Sequence, residues 1–244
     1  ALYTSSIRPT GATNFWELDE QPSTYTDSIG GNTGTGTATT HSPDTPVQQR
    51  VAVRDMGTAL RFDGSSDFVT MTTALMPTTI SFWATVNNSD TSYFFNAVPD
   101  NDIGVSTTGF WKLFDGSNRT STIRATRAPQ FMTFVFTGTG YQIYVNGVYR
   151  EFVTSTQVTI NTIGRSVKTP NGVIDEPRFY NRALTATEIA NMYFNNTVPR
   201  NGLVAEYLFN EGSGTTALDT SGNGNDGTIT GATYTLDVPL KFRV

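Results

Sequence analysis

"YQIYVNGVYREF", residues 141–152, decides the fold class. Asn146-Gly147 supplies two residues that tolerate positive φ, which a type I′ turn requires. Tyr144 then falls opposite Tyr149 and Val145 opposite Val148, a favourable cross-strand arrangement. Working outward, "FMTFVF" (131–136) and "TISFWATV" (79–86) read as further strands. In the second, Ile80, Phe82, Ala84 and Val86 share one face, and Ser81, Trp83 and Thr85 the other. "ALRFDG" (59–64), "DFVTMTT" (67–73), "SYFFNAV" (92–98), "GFWKLFDG" (109–116), "TQVTI" (156–160) and "NGVIDEPRFY" (171–180) continue the series. One helix is predicted at "LTATEIANMYF" (184–194), with Thr185 and Glu188 as a capping box and Leu184, Ile189, Met192 and Tyr193 on the buried face. Many short strands and one short helix predict an all-β fold, a two-sheet antiparallel sandwich.

Composition agrees. The chain has 244 residues, enough for two ordinary domains or one large sandwich. Only 15% of residues are charged, and the chain is rich in Thr, Gly and aromatics, which suits strands and turns. A net charge of −5 and no Lys/Arg run argue against nucleic acid as a partner. With no cysteine there is no disulfide, thiolate metal site or Cys nucleophile. No stretch reaches the roughly 18 apolar residues of a membrane helix, so no membrane is expected as a partner. The opening "ALYTSSIRPTG" has neither the basic nor the apolar region of a signal peptide.

"ALRFDGSSDFV", "TISFWA", "YQIYVNG" and, most specifically, "GVIDEPRFYNRALTATEIANMY" resemble the laminin-G-like, concanavalin A-like jelly rolls, over about residues 14–196. The resemblance implies two curved sheets, one concave and one convex. It also implies a binding module, for glycans or protein partners, or as part of a surface or virion protein. The expected organisation is an N-terminal arm (1–13), a jelly-roll domain (14–200) and a C-terminal extension (201–244). The extension repeats the opening of the chain. "EYLFNEGSGTTALDTSGNGNDGT" (206–228) echoes "FWELDEQPSTYTDSIGGNTGT" (15–35), and "ATYTLDVPLKFRV" (232–244) echoes "RVAVRDMGTALRFDG" (50–64). It therefore reads as two strands of a second sandwich, which cannot stand alone. Its apolar residues must dock on a sheet of the first domain or on a neighbouring chain.

Some relatives of this architecture cleave β-glucans with three carboxylates alternating along one strand. Here Glu17 and Asp19 share a face, Glu20 lies opposite and position 21 is Gln. The third carboxylate is missing, so no hydrolase is expected. The single His, His41, has no partner pattern for a triad. The resemblance suggests a structural calcium ion, with Asp27, Asn32 and Asp175 as its candidates and Asp219, Asn223 and Asp226 as their counterparts in the extension. The competing reading is that these residues form Asx-turns beside glycine. No EF-hand loop is present, and one His without Cys leaves no structural zinc site. For sugar stacking the candidates are Trp111, Phe110, Tyr93 and Phe94, against the alternative that they fill the core; Trp83 and Trp16 occupy positions that pack. The sequons at Asn87, Asn118 and Asn195 are chance occurrences in a chain of this composition.

The function expected is a non-catalytic structural or binding protein. The first form is a component of a tailed-phage virion, a capsid decoration, fibre or tail protein at the virion surface. Its partners would be neighbouring subunits and cell-surface glycans, and the extension would serve as the joint. The alternative is a secreted carbohydrate-binding module of a bacterial surface protein or polysaccharide-degrading enzyme.

Overall fold

A computed structural model describes residues 24–26, 33–35, 51–53, 57–87, 91–97, 101–238 and 241–243. The chain forms two compact units, residues 1–48 and 49–244. In the first unit, β1 (Thr24–Thr26) pairs with β2 (Thr33–Thr35). The second opens with β3 (Val51–Val53), β4 (Ala59–Asp63), β5 (Phe68–Leu75), β6 (Thr79–Val86), β7 (Ser92–Ala97) and β8 (Asn101–Val105). It continues through β9 (Phe110–Phe114), β10 (Asn118–Arg124), β11 (Gln130–Phe136), β12 (Gly140–Val145), β13 (Val148–Thr154), β14 (Ile160–Gly164) and β15 (Asn171–Tyr180). Helix α1 (Ala186–Asn195) follows, then β16 (Leu203–Glu206), β17 (Thr216–Ala217), β18 (Gly227–Thr230), β19 (Thr233–Thr235) and β20 (Lys241–Arg243).

Two large antiparallel sheets form the jelly-roll sandwich. The first has the order β10-β9-β8-β7-β14-β5-β18-β17, and the second β13-β12-β11-β6-β15-β4-β19 with β16 also beside β15. β20 pairs with β3. Strand alternation builds the core between the sheets. Ile80, Phe82, Ala84 and Val86 of β6 lie inside it, as their spacing predicts. At its centre, the Phe82 ring meets Phe95 of the first sheet at 4.6 Å and Trp111 at 5.6 Å, both edge-on. The 141–152 hairpin has the expected register: Asn146 and Gly147 take φ of 54° and 78°, Val145 pairs with Val148, and Tyr144 with Tyr149. β8 and β10 were not read from the sequence. Asn101–Val105 is short, and Asn118–Arg124 is an exposed edge strand with one fully buried residue, Ser121, so neither shows a hydrophobic period.

The outer face of the second sheet is covered in part by α1. Trp83, Phe131, Tyr144, Leu184, Ile189 and Met192 form a second apolar cluster there. The helix begins with the predicted capping box, Thr185 with Glu188. Glu188 also accepts from both terminal nitrogens of Arg182, at 3.0 and 2.5 Å. Those bonds, with the ones from Thr185, outweigh desolvation and hold its carboxyl down at about 2.

The extension docks on its own sandwich and reaches both sheets. β16 pairs with β15, β19 with β4, and β18 with β5. Ala205, Tyr207, Phe209, Ala217 and Ile229 enter the central core. Leu203 joins the cluster beneath the helix instead, because the β15–β16 register shifts by one residue between Phe179 and Tyr180. A buried charge network locks the junction. Arg178 Nε donates to Glu206 Oε1 at 2.7 Å, and its terminal nitrogens reach Glu176 Oε2 at 3.1 and 3.2 Å. Arg200 and Thr220 bind Glu206 Oε2 at 2.6 and 2.9 Å. Burial pushes the Glu206 carboxyl up, but the Arg178 charge and these hydrogen bonds outweigh it, and its pKa ends below the usual range.

Two consequences can be measured. Truncation after Asn201 removes Glu206 from Arg178, which alone costs about 3–5 kcal/mol, and strips five side chains from the core. The shortened chain is expected to lose cooperative unfolding and bind a hydrophobic dye; an unchanged melting temperature would contradict this. Glu188 has a folded pKa below its unfolded value of 4.5, so its stabilising contribution is present above that pH and is lost as pH falls toward about 2. Denaturant unfolding should therefore show a smaller loss of stability on acidification in Glu188→Gln than in the native chain.

Candidate functional site

The four aromatic candidates separate by strand parity. Phe110 and Trp111 are neighbours on β9 and must face opposite ways. Trp111 and Phe94 are fully buried in the core, with ring centroids 4.8 Å apart, and Trp111 Nε1 donates to Gln130 Oε1 at 3.2 Å. That burial removes both from any sugar-stacking surface. The cause for Phe94 is the irregular β7–β8 register, in which Tyr93 pairs with Gly104 but Phe95 with Ile103, so Phe94 and Phe95 both point inward. Tyr93 and Phe110 are half-buried on the outer face of the first sheet.

Of the metal candidates, only Asp175 and the three residues of the extension fall among the described residues. Asp27 and Asn32 lie outside the described residues, as do Glu17, Asp19, His41 and Trp16. Asp175 is buried, and its Oδ1 accepts from the Glu176 amide at 2.9 Å. In the extension, Asp219 Oδ1 accepts from the amides of Glu206 and Ser221, and Oδ2 from that of Asn225, at 2.9–3.0 Å. Asp226 Oδ1 accepts from the Asp219 amide, and Asn223 Nδ2 donates to the Leu203 and Val204 carbonyls. These bonds staple the turn in the manner of Asx-turns. Among the described residues, no group of three or more His, Cys, Asp or Glu is placed to hold a metal ion.

On the outer face of the first sheet, Tyr93, Gly104, Lys112 and Thr120 form one row across β7, β8, β9 and β10. Asn96, Asp102, Phe114 and Asn118 form the next. Gly104 has a steric reason: a Cβ there would meet the Ser92 carbonyl oxygen at 2.2 Å. The same missing side chain lets Lys112 Nζ approach to 4.8 Å from the Tyr93 ring centroid. Lys112 pairs with Asp102 at 3.2 Å, both side chains 4% exposed, and lies 5.5 Å from the Phe114 ring. Arg165 lies 4.6 Å from the Tyr93 centroid, and Arg124 5.1 Å from that of Phe110. Every aromatic of this patch thus carries a cation, each such contact contributing about 0.5–1 kcal/mol where exposed and about 2 where desolvated. The Lys168 carbonyl accepts from the Tyr93 amide at 2.9 Å and ties the Arg165–Lys168 turn to β7. Buried Asn96 holds an Oδ1 with no hydrogen-bond partner among the described residues.

The same face continues across β14, β5 and β18, where Thr162, Thr70 and Thr228 lie in register, with half-buried Phe68 opposite Gly164 and Thr230. Phe68, Phe114, Lys112, Asp102, Arg124 and Arg165 were not among the predicted site residues. Alternation in "FWKLF" could have separated Phe110, Lys112 and Phe114 from Trp111 and Leu113; the Arg165 turn has no such signal.

A concavity of about 520 Å³ opens on the outer face of the second sheet beside Arg61, Thr85, Asn87, Arg127, Val173 and Asp237. Among the described residues no aromatic lines it, Arg61 pairs with Asp237, and Arg127 Nε donates to the Asn87 carbonyl at 3.2 Å. No described helix is long and apolar enough to cross a membrane.

Residues 57–190 match the family described as the concanavalin A-like lectin/glucanases superfamily. No curated protein matches the sequence. Among solved structures, a putative carbohydrate-binding protein from Bacteroides ovatus is similar with a TM-score of 0.59 and 18% identity, over 75% of this chain and 61% of that one. This chain therefore spans about three fifths of that protein's length. A heptameric pentraxin from Limulus polyphemus aligns with a TM-score of 0.42 and 14% identity, over 60% of this chain and 83% of that one. Domain 4 of an extracellular GH43 arabinanase from Geobacillus stearothermophilus, solved with arabinotriose, aligns with a TM-score of 0.42 and 19% identity, over 57% and 77%.

Parity makes a stability prediction. Phe94→Ala is expected to cost about 3–5 kcal/mol, as for a large core side chain. Phe110→Ala should cost about 1 kcal/mol, mainly its contact with Arg124. Denaturant midpoints of the two variants check this, and equal losses would contradict the assignment of the two faces.

Proposed function

The chain belongs to the concanavalin A-like lectin/glucanases superfamily, and from that premise we propose that it is a non-catalytic module that binds glycans on the outer face of the first sheet. The observation that carries this reading is the set of half-buried rings, Tyr93, Phe110 and Phe114, on one face of β7 and β9 with cations beside them. Sugar rings offer apolar C–H faces and a rim of hydroxyls. A surface of aromatic planes interleaved with a few oriented donors and acceptors meets both needs. Beneath the rings, buried Asn96 and the Lys112–Asp102 pair are held in place by strand pairing and support the face from below.

The reading as binder rather than hydrolase is supported by the state of the described carboxylates near the sheet junction. Glu176 and Glu206 are both engaged by Arg178, and the Glu206 carboxyl is held below its usual range rather than raised as the acid of glycoside cleavage is. The virion placement drew on an extension in need of a neighbour. With β16, β18 and β19 paired into the chain's own sheets, that need is met internally, and the secreted glycan-binding module is the better supported form.

A glycan array followed by titration calorimetry tests the proposal. At least one oligosaccharide class should bind, and Tyr93→Ala with Phe110→Ala should weaken it by about tenfold or more, roughly 1.4 kcal/mol, with a melting temperature close to that of the native chain. No reducing ends should accumulate on prolonged incubation. Binding that survives both substitutions would move the site elsewhere, and steady release of sugar would make the protein an enzyme.

A further inference from the structure

We infer that the glycan taken by this face is acidic, its charge carried by carboxylate or sulfate groups. The inference rests on the proposed glycan site and names its substrate class. The chain carries a net charge of −5, so a cationic patch runs against its composition. On β7 to β10 and the Arg165–Lys168 turn, the charges on the outer face among the described residues are Lys112, Arg124, Arg165 and Lys168, against Asp102 alone. Lys112 and Asp102 neutralise each other at 3.2 Å beneath the surface. Three cations remain, and among the described residues none of them makes an ion pair.

Their placement is specific. Arg124 and Arg165 are held against Phe110 and Tyr93 at 5.1 and 4.6 Å, on the very rings that would stack on sugar. A guanidinium lying on a ring keeps its N–H groups in its own plane, free to point outward. That plane is the one in which a carboxylate or sulfate accepts two parallel hydrogen bonds. The rings also limit the rotamers of both arginines, so less entropy is lost when the anion arrives. Lys168 sits in a left-handed turn, φ 57°, and is exposed at the same edge. A neutral glycan would meet two guanidinium groups over its stacking platform and offer them only hydroxyls. An acidic one satisfies them and can still rest on Phe114 and the ring edges.

The test uses the whole chain with acidic oligosaccharides, uronate and sulfated, each paired with its carboxyl-reduced or desulfated counterpart, read by calorimetry. The acidic member of at least one pair should bind about tenfold tighter or more. Its advantage should shrink as salt is raised from about 0.1 to about 1 M, where the screening length falls from about 10 to about 3 Å. Arg124→Gln with Arg165→Gln should abolish the preference, Arg165→Lys should restore part of it, and Arg127→Gln, in the concavity beside the second sheet, should leave it intact. Melting curves confirm that the variants fold. Equal affinity for both members of every pair overturns the charge inference while leaving glycan binding in place. Loss of preference in Arg127→Gln, but not in the double variant, overturns it by placing the anion on the other sheet. Failure of every oligosaccharide to bind overturns both this inference and the site on which it rests.

Discussion

Arg178 places a full positive charge inside β15, a strand buried on both faces. An uncompensated charge there would be prohibitive, since desolvating an ion costs several kcal/mol even after relaxation. The compensation comes from two directions. Glu176 arrives through a bulge in β15 itself, where it takes φ of 48°, and Glu206 arrives on β16. The second requirement binds the end of the chain to its middle. Once Glu206 is seated, Ala205, Tyr207 and Phe209 follow into the core, and β18 and β19 reach their places in the two sheets. The network contributes little net stability compared with an apolar core, but leaving Arg178 buried without Glu206 would be costly, which favours the register in which β16 pairs.

A similar economy of charge operates on the first sheet. Lys112 and Asp102 are buried as a pair and add no net field. What remains at the surface are cations that the pair does not neutralise, supported by rings rather than by carboxylates. Aromatic support keeps a guanidinium ordered without spending its charge, which an ion pair would do. Paired strands, a glycine between Tyr93 and Lys112, and cations held against rings together make a surface organised before any ligand arrives.

The two sheets differ in what covers their outer faces. The second sheet has α1, whose Ile189 and Met192 meet Trp83 and Phe131, so its aromatics serve packing. On the first sheet, the rings of β7 and β9 stay half-buried with cations beside them. This asymmetry, more than the fold shared by the superfamily, directs the functional reading to one face.

The hairpin at Asn146-Gly147, the alternation of β6, the capping box of α1 and the all-β class were legible in the sequence. Each depends on residues within a few positions of one another, where backbone preference and period decide the outcome. The placement of the extension was not legible, because Arg178, which pairs with Glu206, lies 28 residues away on β15, and the strands that β18 and β19 join are farther still. For the candidate site, residue types were readable and orientation was not. Tyr93 and Phe94 exchange roles through a single irregular register, and Phe110 and Trp111 through parity. Arg124 and Arg165 come from separate elements and join the face only when β10 and β14 take their places in the sheet. Local physics thus determined what the strands are. Which of their two faces meets water was decided only when the sheets packed, because a side chain's exposure is a property of what lies across from it.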